Sequence, residues 1–197
     1  MNFELTEKLS ELLKADSLTE AITLTEDKLR QGTKTDFNKI LGKDLLQLSD
    51  SLADYLDSFY NRVKGKMKIQ ALYCEMNGFT INPDLWFLDS FAYDKFGGTD
   101  DFDWLADWEP ENSTKDSFVI KGYEDLQKAY EKFMRDEKWK DEKESSASDV
   151  CELLIILRLQ ELLKVTVKRA REKGMEWIDV PVFVTAHDYY DMVYRAA

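Results

Sequence analysis

The stretch SDVCELLIILRLQELLKVTVKRAREK, residues 148–173, decides the fold of this chain. Its first half is apolar on nearly every side, which predicts a long helix buried inside the protein rather than one lying on its surface. Ser146 and Asp149 are candidate caps for its beginning, and Gly174 suits its end. Its last turns carry cations that complement the negative end of a helix dipole: Lys168, Arg169, Arg171 and Lys173.

The first third of the chain predicts further helices. Apolar residues over positions 3–13 approximate helical spacing. Ser17 and Glu20 have the form of a capping box for a second helix, which is expected to end near Gly32 in a left-handed conformation. A third helix is predicted over residues 44–63, where apolar side chains form one stripe, and the basic run KGKMK ends it.

Beyond this helical part the pattern predicts strands. Residues 67–77 alternate imperfectly between apolar and polar side chains. Asn77-Gly78 predicts a tight hairpin turn, because type I′ turns need positive φ at both central residues. Residues 85–93 are a central-strand candidate, since both faces of this run are largely apolar.

Two later segments repeat a strand-to-helix pattern. Residues 118–130 align without gaps on residues 182–194, and we interpret this as shared local physics rather than duplication. The first copy predicts a strand at 117–121 followed by a helix at 123–140, and the second predicts a strand followed by a short helix from Asp188. The long helix between the two strands predicts a right-handed parallel crossover.

These elements predict an α+β fold. N-terminal helices are expected to pack on a mixed, mostly antiparallel sheet of about four to five strands, with the long helix buried across one face of the sheet. The length of 197 residues fits one domain. In this domain residues 1–64 form a helical part, and residues 65–197 form the sheet and the remaining helices.

The negative charge of the chain is concentrated in its middle. The formal net charge is -12, and residues 70–118 carry eleven acids and two bases, or -9, which leaves -3 for the rest. Such a field repels nucleic acid and anionic lipid, and it attracts cations or basic protein surfaces. We therefore expect a basic protein partner, with neither nucleic acid nor a membrane as a ligand.

Other features of the sequence predict a cytoplasmic protein. The first ten residues lack the basic and apolar regions of a secretory signal. The longest apolar run, residues 153–157, is far too short to span a membrane. Cys74 and Cys151 are isolated in the sequence, which suits a reducing compartment.

Common catalytic signatures are absent from the sequence. It contains no P-loop, no dinucleotide-binding glycine pattern, no nucleophile elbow and no zinc-protease motif. The single histidine, His187, follows a predicted strand and precedes Asp188, but adjacent residues on a helix do not face each other. We interpret Asp188 as a helix cap, expect no cofactor, and leave a catalytic role for His187 open.

Carboxylates in the middle of the chain could in principle bind a metal ion or catalyse hydrolysis. The loop DKFGGTDDFD, residues 94–103, offers oxygen ligands, but its spacing does not match a calcium-binding EF-hand, so we expect no metal site. A glycosidase-like hydrolase would need two carboxylates about 5 to 10 Å apart. Asp89, inside an apolar strand, and Asp103, beside Trp104, are its candidates, and this enzyme is the first alternative to binding.

The favoured hypothesis is a non-catalytic binding face. Aromatic rings alternate with acids in this segment, and at an interface buried rings supply affinity while acids steer a basic partner. Trp104 and Trp108, four residues apart, are expected on one face of a short helix. The predicted partner-binding residues are Asp94, Phe96, Asp100, Asp101, Phe102, Asp103 and Asp107.

The overall character of the chain resembles a known class of proteins. In size, acidity and lack of catalytic motifs it is similar to the small cytoplasmic immunity proteins of bacterial toxin systems. The resemblance rests on no diagnostic motif, so it assigns no residues. It implies an inhibitor that covers a basic target. A structural subunit of an assembly is the second alternative, and the oligomeric state is left open.

Overall fold

The computed structural model describes residues 3–197. Within this range, five α-helices and five β-strands are joined by loops and short 3-10 turns. The helices are α1 (Phe3–Lys14), α2 (Leu18–Gln31), α3 (Ser49–Val63), α4 (Glu124–Arg135) and α5 (Glu142–Glu172). The strands are β1 (Ala71–Met76), β2 (Phe87–Tyr93), β3 (Phe118–Val119), β4 (Val182–Ala186) and β5 (Tyr194–Arg195).

Helix α5 forms the centre of the protein, as its apolar first half predicts. It packs against α2, α3 and β4. Full burial of a leucine or isoleucine contributes about 1.5–3 kcal/mol, so this stretch is a major source of stability. Five consecutive side chains of α5 are fully buried: Leu153, Leu154, Ile155, Ile156 and Leu157.

Although α5 has 31 residues, neither it nor another helix within residues 3–197 is long and apolar enough to cross a membrane.

The start of α5 differs from the prediction. The helix begins at Glu142 rather than at Ser148. Its cap is the Asp141 carboxylate, which accepts hydrogen bonds from the backbone N–H groups of Lys143 at 2.9 Å and Glu144 at 3.1 Å. The predicted caps, Ser146 and Asp149, lie inside the helix, because the polar run before them is itself helical. The predicted end is confirmed, since Gly174 has a φ of 70°.

The five strands form one mixed sheet in the order β3-β2-β1-β4-β5. Strands β1 and β4 are parallel, and the other three neighbouring pairs are antiparallel. Together with α5 packed on it, this sheet confirms the predicted α+β class. Strands β3 and β4 run in the same direction but are separated by β2 and β1, so the parallel neighbour of β4 is β1.

The two faces of the sheet bury different sets of side chains. On the inner face, apolar residues such as Leu72, Cys74 and Val184 join the main core under the helices. On the opposite face, which we call the outer face, a smaller apolar cluster forms. It comprises Ala71, Tyr73, Phe91, Tyr93, Leu105 and Phe183. Except at Glu75, the side chains on both faces of β1 are therefore buried, in keeping with the near-continuous apolar run of its sequence.

Several predictions of local structure are wrong. Ser17 makes no side-chain capping bond, and Gly32 has an extended backbone with a φ of -74°. Asn77-Gly78 does not form a two-residue turn, since the connection from β1 to β2 spans residues 77–86. Instead the Asn77 side chain closes this longer loop: its Nδ2 donates to the Leu85 carbonyl at 3.0 Å, and its Oδ1 accepts from Phe87 N at 2.8 Å.

The predicted final helix is also reduced. After β4 the chain makes only a 3-10 turn at Tyr190–Met192 before β5. Asp188 has a φ of 67°, a left-handed conformation that a residue inside a right-handed helix does not adopt. It is therefore not the helix cap that the sequence suggested. The strand-to-helix pattern is completed only in its first copy, by β3 and α4.

Glu152, on α5, has an unusual titration. Burial raises the pKa of its carboxyl group to about 7, the nearby Asp149 adds to the rise, and a hydrogen bond from the Tyr189 hydroxyl opposes it. In an unfolded chain the pKa of a glutamate is about 4.3. A group with a raised folded pKa favours folding most below the unfolded pKa, and this contribution is lost as the pH rises from about 4 to 7.

We expect Glu152→Gln to remove this pH dependence. As the pH rises from 5 to 8, the unfolding free energy of wild type should fall by about 2 kcal/mol relative to that of the variant. The reason is that wild type must ionise a buried carboxyl group, whereas glutamine has no charge to desolvate. Urea unfolding of both proteins at the two pH values measures the difference. Glu7→Gln, on the exposed face of α1, serves as the control without a gain. An equal effect of Glu152→Gln at both pH values would contradict the assignment.

Candidate functional site

The acidic stretch of the sequence lies on the outer face of the sheet. We call residues 94–111 the acidic segment; it leaves the end of β2 and crosses the outer face through a short 3-10 turn at Asp103–Ala106. It carries seven acids and a single base, Lys95. Its position follows from its apolar residues, because Leu105 is part of the outer-face cluster and only 2% exposed.

Specific contacts fix the acidic segment to the sheet. The Tyr93 hydroxyl, at the end of β2, donates a hydrogen bond to the Leu105 carbonyl at 2.7 Å. The Trp104 ring lies 5.0 Å from the ring of Tyr93 and 5.7 Å from that of Phe183, measured between centroids. At the far end, the Arg62 guanidinium donates to the carbonyls of Glu111 and Ser113. The segment is thus held at three places.

The carboxylates of the acidic segment point away from the sheet. All seven are exposed, and within residues 3–197 none lies within 4.0 Å of a lysine or arginine nitrogen. Acids elsewhere on the surface are often paired: Asp36 contacts Lys39 and Lys132, and Asp125 contacts Lys43. The segment therefore keeps its negative charge unneutralised. The seven acids are Asp94, Asp100, Asp101, Asp103, Asp107, Glu109 and Glu111.

The aromatic residues of the segment divide into anchors and exposed rings. Phe102 is half-buried with its ring 5.8 Å from that of Phe183, so it anchors the segment rather than lying free. Phe96 remains 42% exposed beside Trp104. The expectation that Trp104 and Trp108 share one face is wrong, because Trp108 lies beyond the 3-10 turn and is 43% exposed.

The acidic segment covers only part of the outer face. Where β1 and β4 end, a recess of about 190 Å³ remains open. We call it the open recess; its lining residues are Glu75, Asn77, Gly78, Ile81, Asn82, Phe87, Asp89 and His187. Glu75 on β1 lies directly opposite Asp89 on β2 in the strand register. Side chains paired in this way stand about 5 Å apart at Cβ.

His187 faces Glu75 in the open recess. The distance between His187 Nδ1 and Glu75 Oε1 is 2.9 Å, and the Tyr73 hydroxyl donates to Glu75 Oε2 at 2.7 Å. The hydrogen bond to Glu75 raises the pKa of His187 above its usual value, against a smaller opposing effect of burial. Asp188 is farther away, at 3.7 Å from Nε2. The acidic partner of the histidine is therefore Glu75.

The two candidate hydrolase carboxylates do not line this recess together. Asp89 is half-buried, and its Oδ1 accepts a hydrogen bond from the Ser117 hydroxyl at 2.7 Å. Asp103 belongs to the acidic segment and does not line the recess. Within the described part of the chain, moreover, no three histidine, cysteine or acidic residues are grouped so as to hold a metal ion.

A larger cleft of about 720 Å³ separates α1 from the acidic segment and β5. Asp100 and Phe102 form one rim of it. Its wall contains an ion pair between Asp16 and Lys164 at 2.7 Å, and hydrogen bonds from Lys164 and from the Tyr194 hydroxyl hold the pKa of Asp16 below its usual value. Because three basic residues line this cleft beside its acids, it is less suited than the acidic segment to attract a basic partner.

Comparison with known proteins identifies no relative. No protein-family model, no curated protein and no solved structure matches this chain. The function is therefore inferred from the geometry of the outer face.

Sequence reasoning missed two features of this face. The first is the contact between Glu75 and His187. These residues are 112 positions apart in the sequence and come together only through the parallel pairing of β1 and β4, so no local pattern indicates the contact. The exposure of Trp108 is the second, because the spacing of the two tryptophans predicts one shared helical face. The alternation of Ala71, Tyr73 and Glu75 along β1 is the signal in the sequence that places Glu75 on the same face of the strand as Tyr73.

Proposed function

We propose that this protein is a non-catalytic binding protein that engages a basic protein partner through the acidic segment. An inhibitor or an immunity protein that covers a basic surface of its target has this character. The observation that carries the proposal is the state of the seven carboxylates, which are exposed and unpaired on a segment fixed to the sheet. A fixed array of charges loses little conformational entropy on binding.

The mechanism of binding follows from charge and ring exposure. The field of the unpaired carboxylates draws a basic surface toward the outer face and orients it. Phe96 and Trp108, each a little over two-fifths exposed, then supply apolar area that the partner covers. Aromatic residues in this position contribute much of the affinity of protein interfaces. Phe102 supports the segment from below, since it is already half-buried on Phe183.

Charge reversal in the acidic segment tests the proposal. We expect the triple substitution Asp100→Lys, Asp101→Lys and Asp103→Lys to weaken partner binding by at least about 100-fold, because six units of charge are removed from the face that steers the partner. Each site is exposed, so each change should alter the unfolding free energy by less than about 0.5 kcal/mol. The partner is first captured from native lysate of the source cell, then purified and titrated against both proteins.

A charge-matched variant controls for net charge. Glu7→Lys, Glu11→Lys and Glu131→Lys make the same change at exposed positions on α1 and α4. This control should bind nearly as wild type does. Binding should also weaken as added salt shortens the Debye length below about 10 Å. If the acidic-segment variant and the control bind equally well, the acidic segment is not the binding face.

The two alternatives stay predictions. For a hydrolase, Asp89 would need a second carboxylate, and Glu75 rather than Asp103 is the one opposite it. Asp89→Asn should then abolish hydrolysis of a glycoside substrate. For a structural subunit, a stable oligomer should appear in sizing experiments at micromolar concentration.

A further inference from the structure

The open recess is the uncovered half of the outer face. Leu105 and Trp104 lie over the half formed by Tyr93 and Phe183, whereas His187, at the other half, is exposed over 46% of its side chain. Of the residues in the range 3–197, only those of strands and loops line the recess. An open sheet face that carries charge and lies beside a charged segment is a candidate extension of the same interface.

The floor and wall of the recess differ in character. Glu75 and Asp89 supply two carboxylates opposite each other, and no lysine or arginine within residues 3–197 lines the recess. The wall is apolar, with Phe87 half-buried and Ile81 65% exposed. A lysine or arginine side chain matches this arrangement. Its methylene groups can pack on the apolar wall while its charged group donates hydrogen bonds to the carboxylates.

Among the described residues, one carboxylate oxygen of the recess is left without a hydrogen bond. Both oxygens of Glu75 are engaged, by His187 Nδ1 and by the Tyr73 hydroxyl. The Oδ1 of Asp89 accepts from Ser117, while its Oδ2 has no partner within the described residues. A cation that enters the recess would therefore donate to Asp89 Oδ2, with the charge of Glu75 as a second attraction.

We propose that the open recess receives a lysine or arginine side chain of the basic partner, with its head on Asp89 and its alkyl stem on Phe87 and Ile81. This inference rests on the proposed function for the identity of the partner. It extends the binding face from the acidic segment to the sheet itself. Charge complementarity selects the occupant, since the recess carries two acids and, among the residues that the structure describes, its one possible cation is protonated His187.

His187 gives a direct readout of the recess. It is the only histidine in the sequence, so its imidazole signals in NMR spectra need no assignment against others. The probe is Nα-acetyl-arginine amide at pH 8, and Nα-acetyl-citrulline amide has nearly the same shape without the charge. We expect the arginine compound to shift the imidazole signals saturably, with a dissociation constant on the order of 1–10 mM, and the citrulline compound to leave them unchanged.

Two single substitutions locate the binding. Asp89→Asn should weaken binding of the arginine compound about tenfold, since a charge-assisted hydrogen bond is lost. Asp100→Asn makes the same charge change on the acidic segment and should leave that binding unchanged. Equal shifts by the two compounds, or equal binding by wild type and Asp89→Asn, would overturn the inference.

The outcomes also separate this inference from the proposed function. If charge reversal of the acidic segment abolishes partner binding but Asp89→Asn leaves both partner and probe binding unchanged, the recess is not used and the proposed function stands. If the probe binds in the recess but charge reversal of the acidic segment leaves partner binding unchanged, the proposed function is wrong. The recess then remains a binding site for a cationic side chain.

Discussion

Replacing Arg158 by methionine should lower the free energy of unfolding by about 3 kcal/mol, because it removes one of the two arginine partners of the buried Glu26 carboxylate and also the partner of Glu161. Arg158 lies on α5, and its Nη2 is 2.8 Å from Glu26 Oε1 on α2. The side chains are only 13% and 11% exposed. Arg30 and the Gly42 N–H also contact Glu26, so part of its charge remains compensated.

Urea unfolding of wild type and variant measures this loss. Arg169→Met is the matched control, since Arg169 lies on the same helix and pairs with Glu172 at 3.2 Å, but both side chains are about half exposed. That exposed pair should contribute less than about 1 kcal/mol. Adding Glu26→Gln to Arg158→Met should recover part of the loss, because the unpaired charge is removed. Equal losses for Arg158→Met and Arg169→Met would show that burial does not strengthen this pair.

Gly97→Ala should detach the acidic segment from the sheet while leaving the helical core folded. A Cβ atom on Gly97 would lie 2.2 Å from Cγ of Trp104, far inside van der Waals contact. The close approach involves the ring base and Trp104 Cβ at 2.8 Å, so a small side-chain adjustment cannot relieve it. Overpacking of this kind costs about 1–3 kcal/mol, and displacement of Trp104 also removes its contacts with Tyr93 and Phe183.

Hydrogen exchange measured by mass spectrometry checks this prediction. Protection should fall in residues 94–108 and stay unchanged in α5. Gly65→Ala is the control, because no atom lies within 4 Å of its added Cβ. If the proposed function is correct, Gly97→Ala should also weaken partner binding, since the carboxylates are then no longer held in one array. Unchanged protection in residues 94–108 would show that the packing of Trp104 does not hold the segment.

The long helix illustrates where sequence reasoning is reliable. Its burial was predictable because an apolar run without a polar side leaves no face for solvent, whatever the rest of the chain does. Its first turns were missed, since a charged stretch such as residues 141–147 can be either a linker or a solvated helix. The Asp141 cap decides between them in the folded protein.

The tryptophans show the opposite case. Spacing alone placed Trp104 and Trp108 together, but a 3-10 turn and the loop after it separate them. Trp104 packs against Phe183, a residue 79 positions later in the chain, and Trp108 lies against Phe91 on β2. Local periodicity carries no information about such distant contacts.

The sequence by itself determined the buried helix and the concentration of negative charge in one segment, because apolar runs and charged side chains are properties of local composition. Only the tertiary structure decided which carboxylates face solvent and which face His187. The contact between Glu75 and His187 depends on the register between β1 and β4, and the outward direction of the acidic segment depends on the packing of Trp104 and Leu105. Both are long-range arrangements, and they form only when distant parts of the chain meet.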